Sequence, residues 1–217
     1  MYSVKEAFYS LQGEGGQAGR ASVFCRFAGC NLWSGREADR ATAACHFCDT
    51  DIRGTDGQNG GRFADADDLG THLASLWQGG PDGAHPQVIF TGGEPLLQLD
   101  DALIAAMHER GFDVAVETNG TLAAPAGIDW LCVSPKGRNP LVQTRGDELK
   151  LIYPQAEAPP ERFTDMDFAH FFLQPMDTAA LPPRTRPADA MARTVAYCLA
   201  NPRWRLSLQT HKIAGID

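Results

Sequence analysis

Short apolar runs rich in Val, Ile, Phe and Leu alternate along the chain with segments of helical period. That alternation predicts a parallel sheet whose strands are joined by crossover helices. Strands are expected over residues 22–27, 87–91, 113–117, 130–134, 148–152, 171–174 and 205–208. Helices are expected over 67–77, with Leu69, Leu73 and Leu76 on one face, over 100–109, with Leu103, Ile104 and Met107, and over 188–199. Residues 34–62, rich in Gly, Asp and Arg, read as a long irregular insertion, and 156–160 and 181–187 as Pro-rich loops. A loop of that length inside a compact domain is functional or disordered. No internal repeat divides the chain, which reads as one domain over residues 1–217 with the inserted loop at about 30–62.

The segment after each strand carries more information than the strand itself. The runs lead into Gly29-Cys30-Asn31-Leu32, Thr91-Gly92-Gly93-Glu94-Pro95, Glu117-Thr118-Asn119-Gly120, Ser134-Pro135-Lys136, Gln174-Pro175-Met176-Asp177 and Gln209-Thr210-His211-Lys212. Such polar segments at the C-terminal ends of parallel strands are where barrel-type α/β enzymes build their sites. A closed eightfold barrel takes about 250 residues. A chain of 217 residues therefore predicts an α/β fold with a mostly parallel sheet curled into an incomplete, open β/α barrel.

Composition narrows the setting. The formal net charge of −8, with no block of Lys or Arg to relieve it, argues against a non-specific grip on nucleic acid. No run approaches the roughly 18 apolar residues of a membrane span, and Met1 to Glu6 is too polar for a signal peptide, so a cytoplasmic protein is expected. Four of the six cysteines fall within residues 25–48, and in a cytoplasmic chain such clustering reads as metal or redox chemistry before disulfides. Cys132 and Cys198 sit in apolar runs and read as small core residues, as does Cys25, which alternates with Val23 and Phe27 on one strand face. Cys30, Cys45 and Cys48 stand among Gly, Asn, Ser, Asp and His, with no apolar period around them. Three thiolates suit an iron-sulfur cluster with one open iron, or zinc with Cys25 as a fourth ligand. His46, between two of them, is expected to shape the loop or line the pocket.

The Gly29-Cys30-Asn31-Leu32 run, the Cys45-His46-Phe47-Cys48 pair with Asp49-Thr50 behind it, and Thr91-Gly92-Gly93-Glu94-Pro95 resemble the radical S-adenosylmethionine superfamily. Leu11-Gln12-Gly13-Glu14-Gly15, Glu117-Thr118-Asn119-Gly120-Thr121, Ser134-Pro135-Lys136 and Gln174-Pro175-Met176-Asp177 narrow the resemblance to the 7-carboxy-7-deazaguanine synthase family. These matches run from about residue 8 to the C-terminus. One feature departs: the superfamily spaces its ligands Cys-x3-Cys-x2-Cys, whereas Ser34 stands where the second would fall and an insertion carries it to Cys45. Extra loop length costs little closure entropy, so the thiols are expected to converge.

The resemblance implies a [4Fe-4S] cluster on Cys30, Cys45 and Cys48, with the open iron chelating the methionine end of S-adenosylmethionine. It implies cofactor contacts from Phe47, Cys48, Asp49, Gly92, Gly93, Glu94, Glu117, Asn119, Ser134, Pro135, Lys136, Gln174, Pro175, Met176 and Asp177. The implied reaction is the ring contraction of 6-carboxy-5,6,7,8-tetrahydropterin to 7-carboxy-7-deazaguanine with loss of ammonia, in queuosine or 7-deazapurine biosynthesis. No protein side chain is assigned as catalytic, since cluster and cofactor carry the radical chemistry. The substrate is expected to meet Leu11, Gln12, Gly13, Glu14, Arg26, Thr91, His211 and Asp217, with Lys212 helping to close the pocket. Magnesium is expected on Thr50, with substrate oxygens and water completing its shell. A flavodoxin- or ferredoxin-type electron donor and a homodimer complete the implied partners, with neither nucleic acid nor membrane among them.

Plainer readings stand beside these. Gly92-Gly93-Glu94 alone is a strand-to-helix turn, Asn119-Gly120 a bare turn, and Asp49-Thr50 a helix N-cap. Arg26, in an apolar strand on the face opposite Cys25, needs an anionic partner, either a substrate carboxylate or a structural acid. Two other functions share part of the pattern: a radical activase acting on a glycine of a partner protein, and a zinc-stabilised binding module.

Overall fold

Strand parity organises the molecule, sending one set of side chains outward to helices and the alternate set inward. The computed structural model describes residues 1–80, 85–177, 187 and 189–216. Among the described residues nine strands form one sheet: β1 (Tyr2–Leu11), β2 (Ala21–Phe27), β3 (Gly61–Phe63), β4 (Gln87–Gly92), β5 (Asp113–Thr118), β6 (Trp130–Val133), β7 (Arg145–Tyr153), β8 (Asp167–Pro175) and β9 (Trp204–Leu206). Their order is β3-β1-β2-β4-β5-β6-β7-β8-β9. From β2 through β4 to β9 every neighbouring pair is parallel, and from β4 onward each strand lies beside its successor. This is the winding of a β/α barrel, and because β3 does not pair with β9 the barrel stays open.

The expected strands are all present, and two others extend the sheet. β1 and β3 are antiparallel additions at one edge. A register shift between Val4 and Glu6 breaks the alternation of β1, so a period-two pattern does not mark it. β3 has only three residues, and its pairing with β1 defines it. The region 34–62 is correspondingly less irregular than expected. It holds a 3-10 helix at Glu37–Thr42, and its last segment is fastened to β1 by Lys5, whose buried ammonium lies 2.8 Å from both Asp51 and Asp56.

Helices α1 (Ala66–Ser75), α2 (Asp101–Glu109) and α3 (Ala190–Ala200) lie close to the expected spans, and a short α4 (Thr210–Ala214) follows β9. Asp65 and Asp100 cap α1 and α2, accepting from the backbone N–H groups of Asp68 and Leu103. The connections β5–β6 and β6–β7 contain no helix, contrary to a strict strand–helix alternation. Pro125 and Gly127 interrupt the first and Pro135, Gly137 and Pro140 the second. The 156–160 loop leads into a 3-10 turn at Pro160–Phe163. Most of 181–187, and the first residue of the 188–199 helix, lie outside the described residues.

Val23, Cys25 and Phe27 of β2, Val88 and Phe90 of β4, Val114 and Val116 of β5, and Leu149 and Leu151 of β7 belong to one continuous outer core with Leu69, Leu73, Leu103, Ile104, Met107 and Phe163. The alternate positions point inward and are polar to an unusual degree: Arg26, Thr91, Glu117, Cys132, Glu148, Lys150 and Gln174. The tip of the β1–β2 hairpin reaches across to the far strands. The Gly15 N–H donates to Ser207 Oγ at 2.9 Å, the Gly16 N–H to Glu148 Oε2 at 2.8 Å, and the Thr210 N–H to the Gly13 carbonyl at 2.9 Å. Among the described residues no helix is long and apolar enough to cross a membrane.

Candidate active site

The inward residues and the loops at the strand ends enclose a cavity of about 440 Å³. One wall carries Cys30, Cys45 and Cys48; the floor carries Gln12, Gly13, Glu14, Arg26, Glu117 and Lys150. The motifs dispersed through the sequence thus face a common space.

The thiol wall is built from loops. Cys45 and Phe47 are buried in a small cluster with Met176 and Ala190, against which Leu32, Cys48 and Ile152 pack. A hydrogen bond with Cys45 holds the Cys48 thiol down to about 6 despite burial, while the same bond, with burial, pushes Cys45 up. Burial also raises Cys30. Lys136 lowers both Cys45 and Cys48 through its charge, and its ammonium donates to the carbonyl and hydroxyl of Ser134. Separating the second thiol from Cys30 by fourteen intervening residues rather than three costs about 1.4 kcal/mol of closure entropy. The loop's own packing and hydrogen bonds offset a cost of that size.

Gly92 and Gly93 approach this wall from β4. Gly92 adopts φ 131°, and a Cβ there would fall 2.3 Å from the Phe27 carbonyl oxygen. A Cβ on Gly93 would fall 2.0 Å from the Gly29 carbonyl oxygen and 2.7 Å from Cys30 Cβ. The pair therefore permits β4 to abut the loop bearing the first thiol. Glu94 does not line the cavity. It is fully buried and accepts from Thr118 Oγ1 (2.7 Å), the Asn119 N–H (2.8 Å) and the Leu96 N–H (3.0 Å), so its carboxylate aligns the next strand end. Asn119, locked by Glu94, donates to Asn31 beside Cys30 at 2.9 Å. Asn119-Gly120 is thus part of the site's frame as well as a turn.

The floor is built from strands. Lys150, almost wholly buried, lies 2.8 Å from Glu14 and 2.8 and 2.9 Å from the two oxygens of Glu117. Burial would lower its affinity for a proton, but Glu117, Glu14 and Glu148, together with Cys132, raise it well above the ordinary value, so the ammonium is retained. Glu14 is pulled the opposite way: burial pushes it up, yet Lys150 and the amides of Gln209 and Gln174 hold it at about 2. Gln12 donates to Glu117 at 3.2 Å and accepts from the Glu14 N–H at 3.1 Å. Arg26 meets a structural acid, its Nε lying 2.7 Å from Glu6, while the side chain still faces the cavity. Lys150 was not marked by any motif. Its signal was the alternation Glu148-Leu149-Lys150-Leu151, in which a charged residue repeats on one strand face.

Several expected residues are placed differently from one another. Leu11, Thr91, Phe47, Asp49, Thr50, Ser134, Gln174, Met176, Asp177 and His211 all border the cavity, whereas Pro135 and Pro175 stand behind its wall. Lys212 reaches Asp49 at 3.0 Å and also Asp177, closing one side of the mouth. His46 is exposed, its ring edge-on to Phe47, and serves as a loop residue. Asp49-Thr50 precedes no helix, so the N-cap reading fails. Asp217 lies outside the described residues. Cys25 is fully buried in the outer core, which removes it as a fourth zinc ligand. Cys132 is buried as expected, but its thiol donates to Glu148 at 3.6 Å on the inner face.

Three thiols on one wall, a nearby lysine ammonium and a loop free of other soft ligands fit an iron-sulfur cluster with one open iron. Among the described residues no three His, Cys, Asp or Glu side chains gather tightly enough to share a single metal ion.

No protein-family model matches the chain. It is 63% identical over 215 residues to the 7-carboxy-7-deazaguanine synthase of Caulobacter vibrioides, covering 99% of each. It is 64% identical over 218 residues to that of Bordetella pertussis, again covering 99% of each. Identity to the enzyme of the same name from Bacteroides thetaiotaomicron is 38% over 216 residues, across 100% of this chain and 99% of that one. A crystal structure of QueE from Escherichia coli matches with a TM-score of 0.69 at 26% identity, covering 95% of this chain and 93% of that one. With full-length identity at this level, an open parallel barrel and three thiols at its mouth, the chain belongs to the 7-carboxy-7-deazaguanine synthase family of radical S-adenosylmethionine lyases.

Proposed function

We propose that the protein converts 6-carboxy-5,6,7,8-tetrahydropterin to 7-carboxy-7-deazaguanine with release of ammonia, using magnesium, and supplies queuosine or another 7-deazapurine. The observation that carries this reading is the division of one cavity into a thiol wall and a charged floor. Cys30, Cys45 and Cys48 would hold the cluster, which would supply one-electron reducing chemistry toward bound S-adenosylmethionine. The chain's task is to hold donor and acceptor carbons at a near-attack distance of about 3 to 3.5 Å.

The residues divide that task. The free backbone edge at Gly92 and Gly93 accepts the methionine ammonium, while Ser134, Lys136 and the Gln174–Asp177 segment border the adenosine. On the floor, Gln12 and Glu14 offer the acceptor and donor pattern of an amino-pyrimidine edge. Arg26, steadied by Glu6 through Nε, keeps the remainder of its guanidinium for the substrate carboxylate. Thr50, which borders the cavity beside Asp49, takes magnesium together with substrate oxygens and water. Thr91 and His211 complete the pterin's surroundings.

A flavodoxin or ferredoxin supplies the electron, and the protein works in the cytoplasm as a homodimer. Dimerisation is supported by the edge of β9, unpaired among the described residues, and by the exposed stripe of Met191, Val195 and Leu199 on α3. Anaerobic turnover with reductant, with and without magnesium, tests the reading. It requires deazaguanine product and equimolar ammonia, at a rate raised by magnesium. Absence of product from cluster-loaded protein refutes the proposed substrate, and indifference to magnesium refutes the metal.

A further inference from the structure

The insertion separating Cys30 from Cys45 contains one side chain that touches both halves of the thiol wall. Arg40, on the 3-10 helix Glu37–Thr42, has a side chain only 14% exposed. Its Nη1 donates to the His46 carbonyl at 3.1 Å and to the Cys48 carbonyl at 2.8 Å. Its Nε donates to both oxygens of Glu37, at 2.9 and 2.7 Å. The guanidinium plane lies 4.3 Å from the ring of Trp33, which is itself buried and three residues beyond Cys30.

We infer that Arg40 is a positioning residue for the cluster ligands, a clamp that fixes the Cys45–Cys48 turn to the Cys30 segment through Trp33. This rests on the reading of Cys30, Cys45 and Cys48 as those ligands. The chemistry needs an arginine: one group must lie over an indole, donate from Nη1 to two carbonyls and pair through a separate nitrogen, Nε, with a carboxylate, which the single nitrogen of an ammonium cannot do at once. The clamp also gives the long insertion a purpose. A short Cys-x3-Cys spacing orders its thiols by proximity, whereas a fourteen-residue separation needs a cross-brace. Trp33 Nε1 donates to the Arg36 carbonyl at 3.2 Å, and Ser34 Oγ to Asp39 at 2.5 Å, so the brace is itself braced from within the insertion.

The test is anaerobic reconstitution of the full chain followed by iron release to a chelator, with the low-temperature EPR signal of the reduced protein recorded with and without S-adenosylmethionine. Arg40→Ala is expected to load iron but to release it about tenfold faster, the worth of one charge-assisted hydrogen bond. Its EPR signal is expected to broaden, while its thermal midpoint without cluster stays that of the parent. Arg40→Lys and Trp33→Ala should fall between parent and Arg40→Ala. Arg110→Ala, which breaks an arginine network on α2 far from the thiols, should leave release unchanged. Parental release and EPR in Arg40→Ala overturn the clamp. If that variant does not fold, parental release from Arg40→Lys overturns it equally. Cys45→Ala separates the two levels of the claim, because a full cluster in that variant refutes the ligand reading itself.

Discussion

The two sides of the cavity are made by different physics. The floor stands on strands β2, β5 and β7 and the tip of the β1–β2 hairpin; strand parity leaves Arg26, Glu117 and Lys150 no other direction to point, and each charge already has a partner within the protein. The thiol wall stands on loops, and its three sulfurs meet each other, a few backbone groups, the Asn31 side chain and the nearby charges of Lys136, Asp49 and Glu94. The floor is therefore preorganised and self-neutralised, whereas the wall is completed by what it binds. Strand-borne charge should thus govern stability and substrate affinity, and loop-borne sulfur should govern cofactor content with little effect on folding.

The sharpest break in that comparison is on the wall. Cys48→Ala is expected to abolish cluster binding and turnover while shifting the cofactor-free thermal midpoint by no more than a few degrees; a large shift would mean the wall is part of the fold's support. Next in size is the floor. Lys150→Met leaves Glu14 and Glu117 buried without their cation and should cost about 3–5 kcal/mol in urea unfolding, with partial recovery on adding Glu117→Gln.

The acid limb of stability offers a third measure. Glu14, ordinarily near 4.5, titrates at about 2 in the folded protein. Its contribution is complete above pH 4.5 and is lost as the pH falls through 4.5 toward 2, about 3 kcal/mol in all. Glu94 and Glu148, raised by burial, act in the opposite sense. The informative quantity is therefore the parent minus Glu14→Gln difference between pH 5 and 2, which should shrink as the pH falls. The smallest expected effect is at Arg26. Arg26→Lys keeps the charge but loses the fork, and should raise KM for the pterin about tenfold with a smaller change in kcat; an unchanged KM would assign Arg26 wholly to Glu6.

How much of this was legible beforehand differs between wall and floor in the reverse order. Cys30, Cys45 and Cys48 stood out because thiols among polar residues have no packing explanation. The open barrel was implied by strand-end chemistry and length. Lys150 was hidden because a lone lysine inside an apolar strand looks like an edge residue until its partners arrive from the β1–β2 hairpin tip and β5, more than thirty residues away in sequence. β1 was hidden by its bulge, and β3 because three residues acquire a strand identity only from the neighbour they pair with. Glu94 appeared as a cofactor ligand in its motif, yet its carboxylate is occupied by Thr118, Asn119 and Leu96, contacts that sequence spacing does not reveal.

The hairpin tip that docks on Ser207 and Thr210 sets an order of events during synthesis. Gln12, Gly13 and Glu14 leave the ribosome well before Ser207 and Thr210, the residues that make their seat. The core of β2, β4 and β5 with α1 and α2 can assemble on the nascent chain, since its contacts join neighbours in the sheet. The pocket floor must wait for the last strand. Until then a half-made chain exposes its acids to solvent, where they are harmless, and has no finished pocket in which to trap a ligand.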